Sequence, residues 1–149
     1  MGQIENRLAE LGITLPPVPT PLGAYKPVNR WGNLVYTSGQ GSRSIVGQVG
    51  RELTLVQGYA AAREACLRCL ACLQAELGTL DRVESIFKVL GFINSAPDFT
   101  DQPKTMNGAS ELLIEVFGDR GRHARSAIGA AQLPGGIAAE VEMLVGIRD

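Results

Sequence analysis

The stretch from Leu55 to Leu77 dictates a second layer for it to pack against. Leu55, Tyr59, Ala62, Cys66, Cys69, Leu70, Leu73 and Leu77 recur at helical spacing and make one apolar stripe, with Glu64, Arg68 and Glu76 off it. Gly78 follows as a stop. A helix of this length keeps its stripe dry only by lying on a sheet or another helix.

The same helix carries all three cysteines, Cys66, Cys69 and Cys72. As text they are two overlapping C-x-x-C motifs, which suggests redox or metal chemistry. Helical geometry argues otherwise. Cys66 and Cys72 lie about 240° apart around the axis, so the three thiols do not converge on one ion. A structural zinc site needs four ligands, and the only histidine, His123, is distant in sequence. A thioredoxin-like pair also wants a helix N-terminus. The cysteines are expected to be buried small residues.

The 149 residues are read as one domain, 1–149, long enough to bury a core. A net charge of -1 gives no global field that favours nucleic acid or an anionic membrane. No apolar run approaches the ~20 residues of a membrane span, and no basic-then-apolar leader begins the chain. The expectation is a cytoplasmic protein without membrane contact.

Around the long helix the other elements fall into order. Ile4, Leu8 and Leu11 space a first helix over residues 3–11, ended by Gly12. Four prolines between Leu15 and Pro21 force an extended strap that cannot be a central strand. Tyr25–Arg30 and Leu34–Thr37 flank Trp31-Gly32-Asn33 as a hairpin, and Thr37-Ser38-Gly39-Gln40-Gly41 ends it in small and polar residues. In a strand over Val83–Ile93, simple alternation puts Ile86, Leu90 and Phe92 on one face and Phe87, Val89 and Ile93 on the other, so both faces read as buried. Asp98 or Thr100 is a candidate cap for a helix over 103–117, and Gly118–Gly121 reads as a loop.

The C-terminal stretch is where chemistry is to be sought. Ala124–Ala131 and Ile137–Ile147 read as two strands joined by a Leu-Pro-Gly-Gly turn. On the first strand, the residues sharing a face with Arg125 are Ala127, Gly129 and Ala131. A guanidinium beside such small neighbours suggests a hollow for a small carboxylate. An edge strand with an exposed arginine and close-packed small residues accounts for the same spacing. A two- or four-residue reversal pairs Arg125 near Leu144 and Gly129 near Glu140, putting Glu140 and Glu142 on the face of Arg125. The opposite face then holds Val141, Met143, Val145 and Ile147 with Ile128. Arg125 and Glu140 would stand roughly 13 Å apart along the strands, room for a ligand or part of another subunit. The order β-hairpin, α, β, α, β-hairpin predicts an α+β layer with two helices on one sheet face and the other face bare in a monomer.

These motifs together resemble the RidA/YjgF family of reactive-intermediate deaminases, formerly labelled endoribonuclease L-PSP. Four segments match in order: Gly23-Ala24-Tyr25, Val35–Gln40, the helix running into Leu77–Val83, and Ala124-Arg125-Ser126 through Leu133-Pro134 to Glu140-Val141-Glu142. Asn107 and Phe117 stand where that family's second helix usually carries them. The resemblance covers about residues 15–148 and makes residues 1–14 an additional N-terminal helix. It implies a chorismate-mutase-like fold, a homotrimer and ligand clefts between subunits. It further implies that Arg125 grips the carboxylate of a 2-imino acid such as 2-iminopropanoate and that Glu140 orders the attacking water. Tyr25, Ser38, Gly39 and Ala127 would complete the binding site, with no metal or organic cofactor. Two departures stand out: Ala127 occupies a position that is often cysteine in members active on imines, and the usual Gly-Pro-Tyr is Gly-Ala-Tyr. A trimeric binder of small carboxylates or 2-oxo acids is therefore the main competing expectation. Ribonuclease activity is weaker. Arg120, Arg122, Arg125 and Lys104 suggest a local basic patch, but the chain has few aromatic residues for stacking on RNA and no paired histidines.

Overall fold

A computed structural model describes all residues, 1–149. Helix α1 spans Gln3–Glu10, α2 Leu55–Leu77 and α3 Gln102–Phe117. The strands are β1 Val28–Trp31, β2 Leu34–Thr37, β3 Gln40–Gly41, β4 Val83–Asn94, β5 Ala124–Ala130 and β6 Ala139–Ile147. They form one mixed sheet in the order β1-β2-β6-β4-β5, with β3 also paired to β6.

Helix α2 has the predicted bounds for identifiable reasons. Thr54 and Gln57 form a reciprocal capping box at its start, and Gly78 ends it with φ 80°. Its apolar stripe, joined by that of α3, covers one sheet face, burying Val35, Val89, Val141, Met143 and Val145 against Cys66, Cys69, Leu70 and Leu73. The cysteines are buried and unpaired by disulfides, as their helical phases require. The Cys69 thiol donates to the Val141 carbonyl at 3.2 Å and accepts from the Thr37 hydroxyl. Burial pushes the Cys66 thiol up to about 12, far from a reactive thiolate.

The C-terminal hairpin is not formed. β5 runs parallel to β4, with α3 as the crossover, and β6 pairs antiparallel with the other side of β4. Leu133–Gly136 still reverses the chain, through Gly135 and Gly136 at φ 66° and 70°, but the reversal spans the end of β4. There Asn94 donates its N–H to the Ala138 carbonyl, and Ser95 donates to that of Ala130. Turn chemistry marks a reversal but does not say which strand lies beside the next.

Side-chain facing changes accordingly. Val89 is in register with both Arg125 and Met143, so Arg125 points to the helix-covered face. Glu140 is in register with Phe92 and Ile128, and Glu142 with Leu90 and Ser126, all on the bare face. Arg125 therefore does not share a face with Glu140 or Glu142, and Ile128 does not join Val141 and Met143.

β4 also departs from simple alternation. A register shift between Ile86 and Lys88 puts Ile86 and Val89 together on the helix side and leaves Phe87 60% exposed. Only one face of β4 is buried in the chain. At the start of α3, Asp98 and Thr100 do not cap. Asp101 holds the N-cap position without a side-chain bond, while its carbonyl accepts from the N–H and hydroxyl of Thr105. Gly118–Gly121 is a short 3-10 turn rather than an irregular loop. The first hairpin begins only at Val28, because Tyr25 is held in a turn by its N–H bond to the Gly23 carbonyl.

Candidate functional site

The predicted residues gather in two places on the chain. The first is the edge strand β5 where it meets α3. The Arg125 guanidinium donates from Nη1 to Asn107 Oδ1 at 2.9 Å and to Ser110 Oγ at 3.1 Å, and from Nη2 to the Pro103 carbonyl at 3.1 Å. Arginine has five N–H donors, so two, on Nε and Nη2, remain unpaired. Three acceptors from one helix thus hold the fork while leaving capacity for a carboxylate.

That fork has further support. His123 Nδ1 lies 2.7 Å from the Gly121 carbonyl, which can only accept, so Nδ1 carries the ring proton. Nε2 then accepts from the Ser110 hydroxyl at 2.8 Å, and the Ser110 oxygen accepts from Arg125. Burial, with the neighbouring Arg125 charge, holds His123 below its usual range, although its bond to Gly121 works the other way; the neutral form this relay needs is favoured.

Ala127 lies one position beyond Arg125 on the same face, in register with Gly91. The expected hollow narrows at Gly129, where a Cβ would stand 2.9 Å from Gln102 Nε2. Gln102 and Ser95 occupy that end of it.

The second place is a cavity of about 390 Å³ bounded by Pro21, Leu22, Tyr25, Gly39, Arg43, Ile137 and Glu140, among others. Its floor follows from an interruption in pairing. β2 pairs with β6 as far as Tyr36 opposite Leu144, and β3 resumes with Gln40 opposite Val141, so Ser38 and Gly39 form a kink between them. The Thr37 hydroxyl accepts the Met143 N–H at 3.1 Å across this gap. At Gly39, a Cβ would fall 2.7 Å from Glu140 Oε1, so the absent side chain is what admits the carboxylate. Burial, and secondly the charge of Glu142, push the Glu140 carboxyl above its usual range. Tyr25 is half exposed, its hydroxyl accepting from the Leu22 N–H at 3.2 Å. Ser38 is not among the lining residues; its hydroxyl donates to the Lys26 carbonyl at 2.6 Å and shapes the kink.

Tyr25, Gly39 and Glu140 therefore come together, and Arg125 and Ala127 do so separately. Between Arg125 and Glu140 lie strand β4, the thickness of the sheet and roughly 10 Å along the strands. One copy of the chain cannot place them around one small ligand. Sequence reasoning missed Ser110 and His123 as partners of Arg125, although both carried signals. Ser110 is three residues from Asn107 on one helix face, and His123 precedes Arg125 by two. Nothing in the sequence singled out Arg43.

Comparison with known proteins agrees with this architecture. The family described as YjgF/chorismate mutase-like, putative endoribonuclease, matches residues 5–142. Protein TCP17 of Trypanosoma cruzi is 43% identical, covering 99% of this chain and 96% of its own. The crystal structure of a putative endoribonuclease from Shewanella oneidensis is 34% identical with TM-score 0.95, covering 98% of this chain and 100% of that one. The protein Atu1372 from Agrobacterium tumefaciens, described as of unknown function, is 38% identical with TM-score 0.91, covering 97% and 92%. The YjgF gene product of E. coli, at 23% identity and TM-score 0.64, shares the fold. With the chorismate-mutase-like α+β fold and this match over most of its length, the chain belongs to the RidA/YjgF family.

Proposed function

We propose that this protein hydrolyses small 2-imino carboxylic acids to 2-oxo acids and ammonia, at clefts formed between the copies of a homotrimer. The observation that carries the reading is the Arg125 fork, held by Asn107, Ser110 and Pro103 with two donors spare. A bidentate contact there fixes the carboxylate and hence the imine carbon beside it. A water adds to that carbon, the nitrogen takes up protons, and ammonia leaves as the carbonyl forms. Glu140, with its raised carboxyl, is suited to receive a proton from water and return it to the departing nitrogen.

A neighbouring copy supplies what one chain lacks. β5 is a sheet edge, and the bare face carries Leu34, Tyr36 and Ile128, which are 44%, 43% and 47% exposed. Covering it with a second chain buries apolar surface and pairs an open edge. In the proposed ring, a head-to-tail contact at the β5 edge sets the Arg125 of one copy against the Glu140 cavity of the next.

Release of ammonia from enzymatically generated 2-iminopropanoate tests the activity, with Arg125→Ala as control. Acceleration lost in the variant supports the reading. No acceleration from a folded trimer moves the assignment to a carboxylate-binding protein, the alternative that Ala127 favours by supplying no thiol beside Arg125. A ribonuclease reading draws on relatives' descriptions. Here Lys104 pairs with Asp101, Arg122 with Asp119, and Arg120 donates to the Val83 carbonyl, so each cation of the expected basic patch has a local partner.

A further inference from the structure

Arg43 stands at the Glu140 cavity on a loop anchored from both sides. Ser42 is fully buried, and its hydroxyl oxygen accepts the N–H groups of Ala138 and Ala139 at 3.1 Å each while donating to the Ile45 carbonyl at 3.0 Å. On the other side the Ser44 N–H donates to Glu64 Oε1 at 3.1 Å, and its hydroxyl donates to the same carboxylate. Glu64 is itself held by Arg68. With 42 and 44 both tied down, the residue between them is presented outward at the cavity.

Its guanidinium has no ion-pair partner in the chain, unlike Arg63 and Arg68 on α2, which pair with Glu115 and Glu64. Arg43 and Glu140 both line the cavity, and no salt bridge joins them. A volume of about 390 Å³ exceeds what a three-carbon imino acid fills, and the remaining wall of prolines and Leu22 accepts a longer carbon chain.

We propose that Arg43 is a specificity-determining residue that binds a second anionic group, making 2-imino dicarboxylic acids, and the 2-oxo dicarboxylates they become, the preferred ligands. This rests on the deaminase reading for the placement of the first carboxylate at Arg125. The second carboxylate takes no part in bond making. Water and imine give 2-oxo acid and ammonia as before, and the side-chain anion anchors the far end.

The test compares binding of 2-oxoglutarate and 2-oxobutanoate by calorimetry, in the intact protein and in Arg43→Ala, Arg43→Lys and Arg125→Ala. The expected result is a preference for 2-oxoglutarate of about tenfold or more, as for a charge-assisted hydrogen bond. That preference collapses in Arg43→Ala, returns in part in Arg43→Lys, and survives in Arg125→Ala while both ligands weaken. Equal affinities in the intact protein, a preference that outlives Arg43→Ala, or binding of neither 2-oxo acid overturns the proposal. A parallel ammonia assay separates the two ideas. Turnover of 2-iminopropanoate without a dicarboxylate preference removes the role of Arg43 alone. A preference that depends on Arg43, without turnover of either imine, removes the catalytic reading alone.

Discussion

Arg125 owes its suitability to geometry that lysine cannot reproduce. An ammonium offers three donors from a point, whereas the planar guanidinium bonds Asn107, Ser110 and Pro103 and still has two N–H groups to give. Arg125→Lys is expected to raise KM for an imino acid about tenfold or more, with an unchanged circular dichroism spectrum. Ser110→Ala removes one acceptor and disconnects His123, so the expected outcome is a several-fold rise in KM with kcat largely kept. A fall in kcat alone would contradict a positioning role. Glu140 gives a prediction with a definite sign. Its carboxyl is raised in the folded chain, so folding binds its proton more tightly than the unfolded chain does. Its contribution is most favourable below the unfolded value of about 4.3 and declines as pH rises through that value toward the raised folded one. Glu140→Gln should therefore melt higher than the parent at neutral pH, lose that advantage near pH 4, and abolish turnover. A lower melting temperature at neutral pH would contradict the placement of this acid.

Close contacts between elements explain why some positions tolerate no side chain at all. Where α3 crosses α2, a Cβ on Gly108 would stand 2.0 Å from the Tyr59 carbonyl oxygen, a backbone atom that cannot move aside. Gly108→Ala is expected to cost about 1–3 kcal/mol by forcing the helices apart, read from chemical denaturation. The helix bearing Asn107 and Ser110 would shift with it, so Arg125-dependent binding should weaken too. Helix α1 is fastened differently: Asp81 accepts the Gln3 and Ile4 N–H groups at 2.8 and 2.7 Å. Those bonds hold its carboxyl below the usual range. The helices were legible in the sequence because a 3.6-residue stripe is local information, and α2 falls where its stripe and Gly78 put it. Strand partners are not local. Pro134-Gly135-Gly136 marked a reversal correctly, yet a hairpin and a return across an intervening strand use the same turn residues. The register of Arg125 was therefore misread, and with it the face it shares. The bulge near Phe87 left no sequence mark either, so alternation failed there for the same reason.

At the scale of the whole molecule, the Arg125 fork and the Glu140 cavity lie on one chain without meeting. Sequence reasoning named Arg125, Ala127 and Asn107 at the first and Tyr25, Gly39 and Glu140 at the second, because the motif order carried them, but not Ser110, His123 or Arg43. Their division between two places appears only once β4 is seen between β5 and β6. The homotrimer proposed above would join them, each cleft taking Arg125 from one subunit and Glu140 from the next. The most direct test refolds Arg125→Ala and Glu140→Gln chains together in equal amounts and assays imine hydrolysis. Each variant alone is expected to be inactive. In a randomly mixed trimer with shared sites, about a quarter of the clefts regain an intact Arg125 and an intact Glu140. Recovery of about a quarter of the parent activity is the predicted result. A mixture of confirmed hetero-trimers no more active than either variant alone would contradict a site shared between subunits.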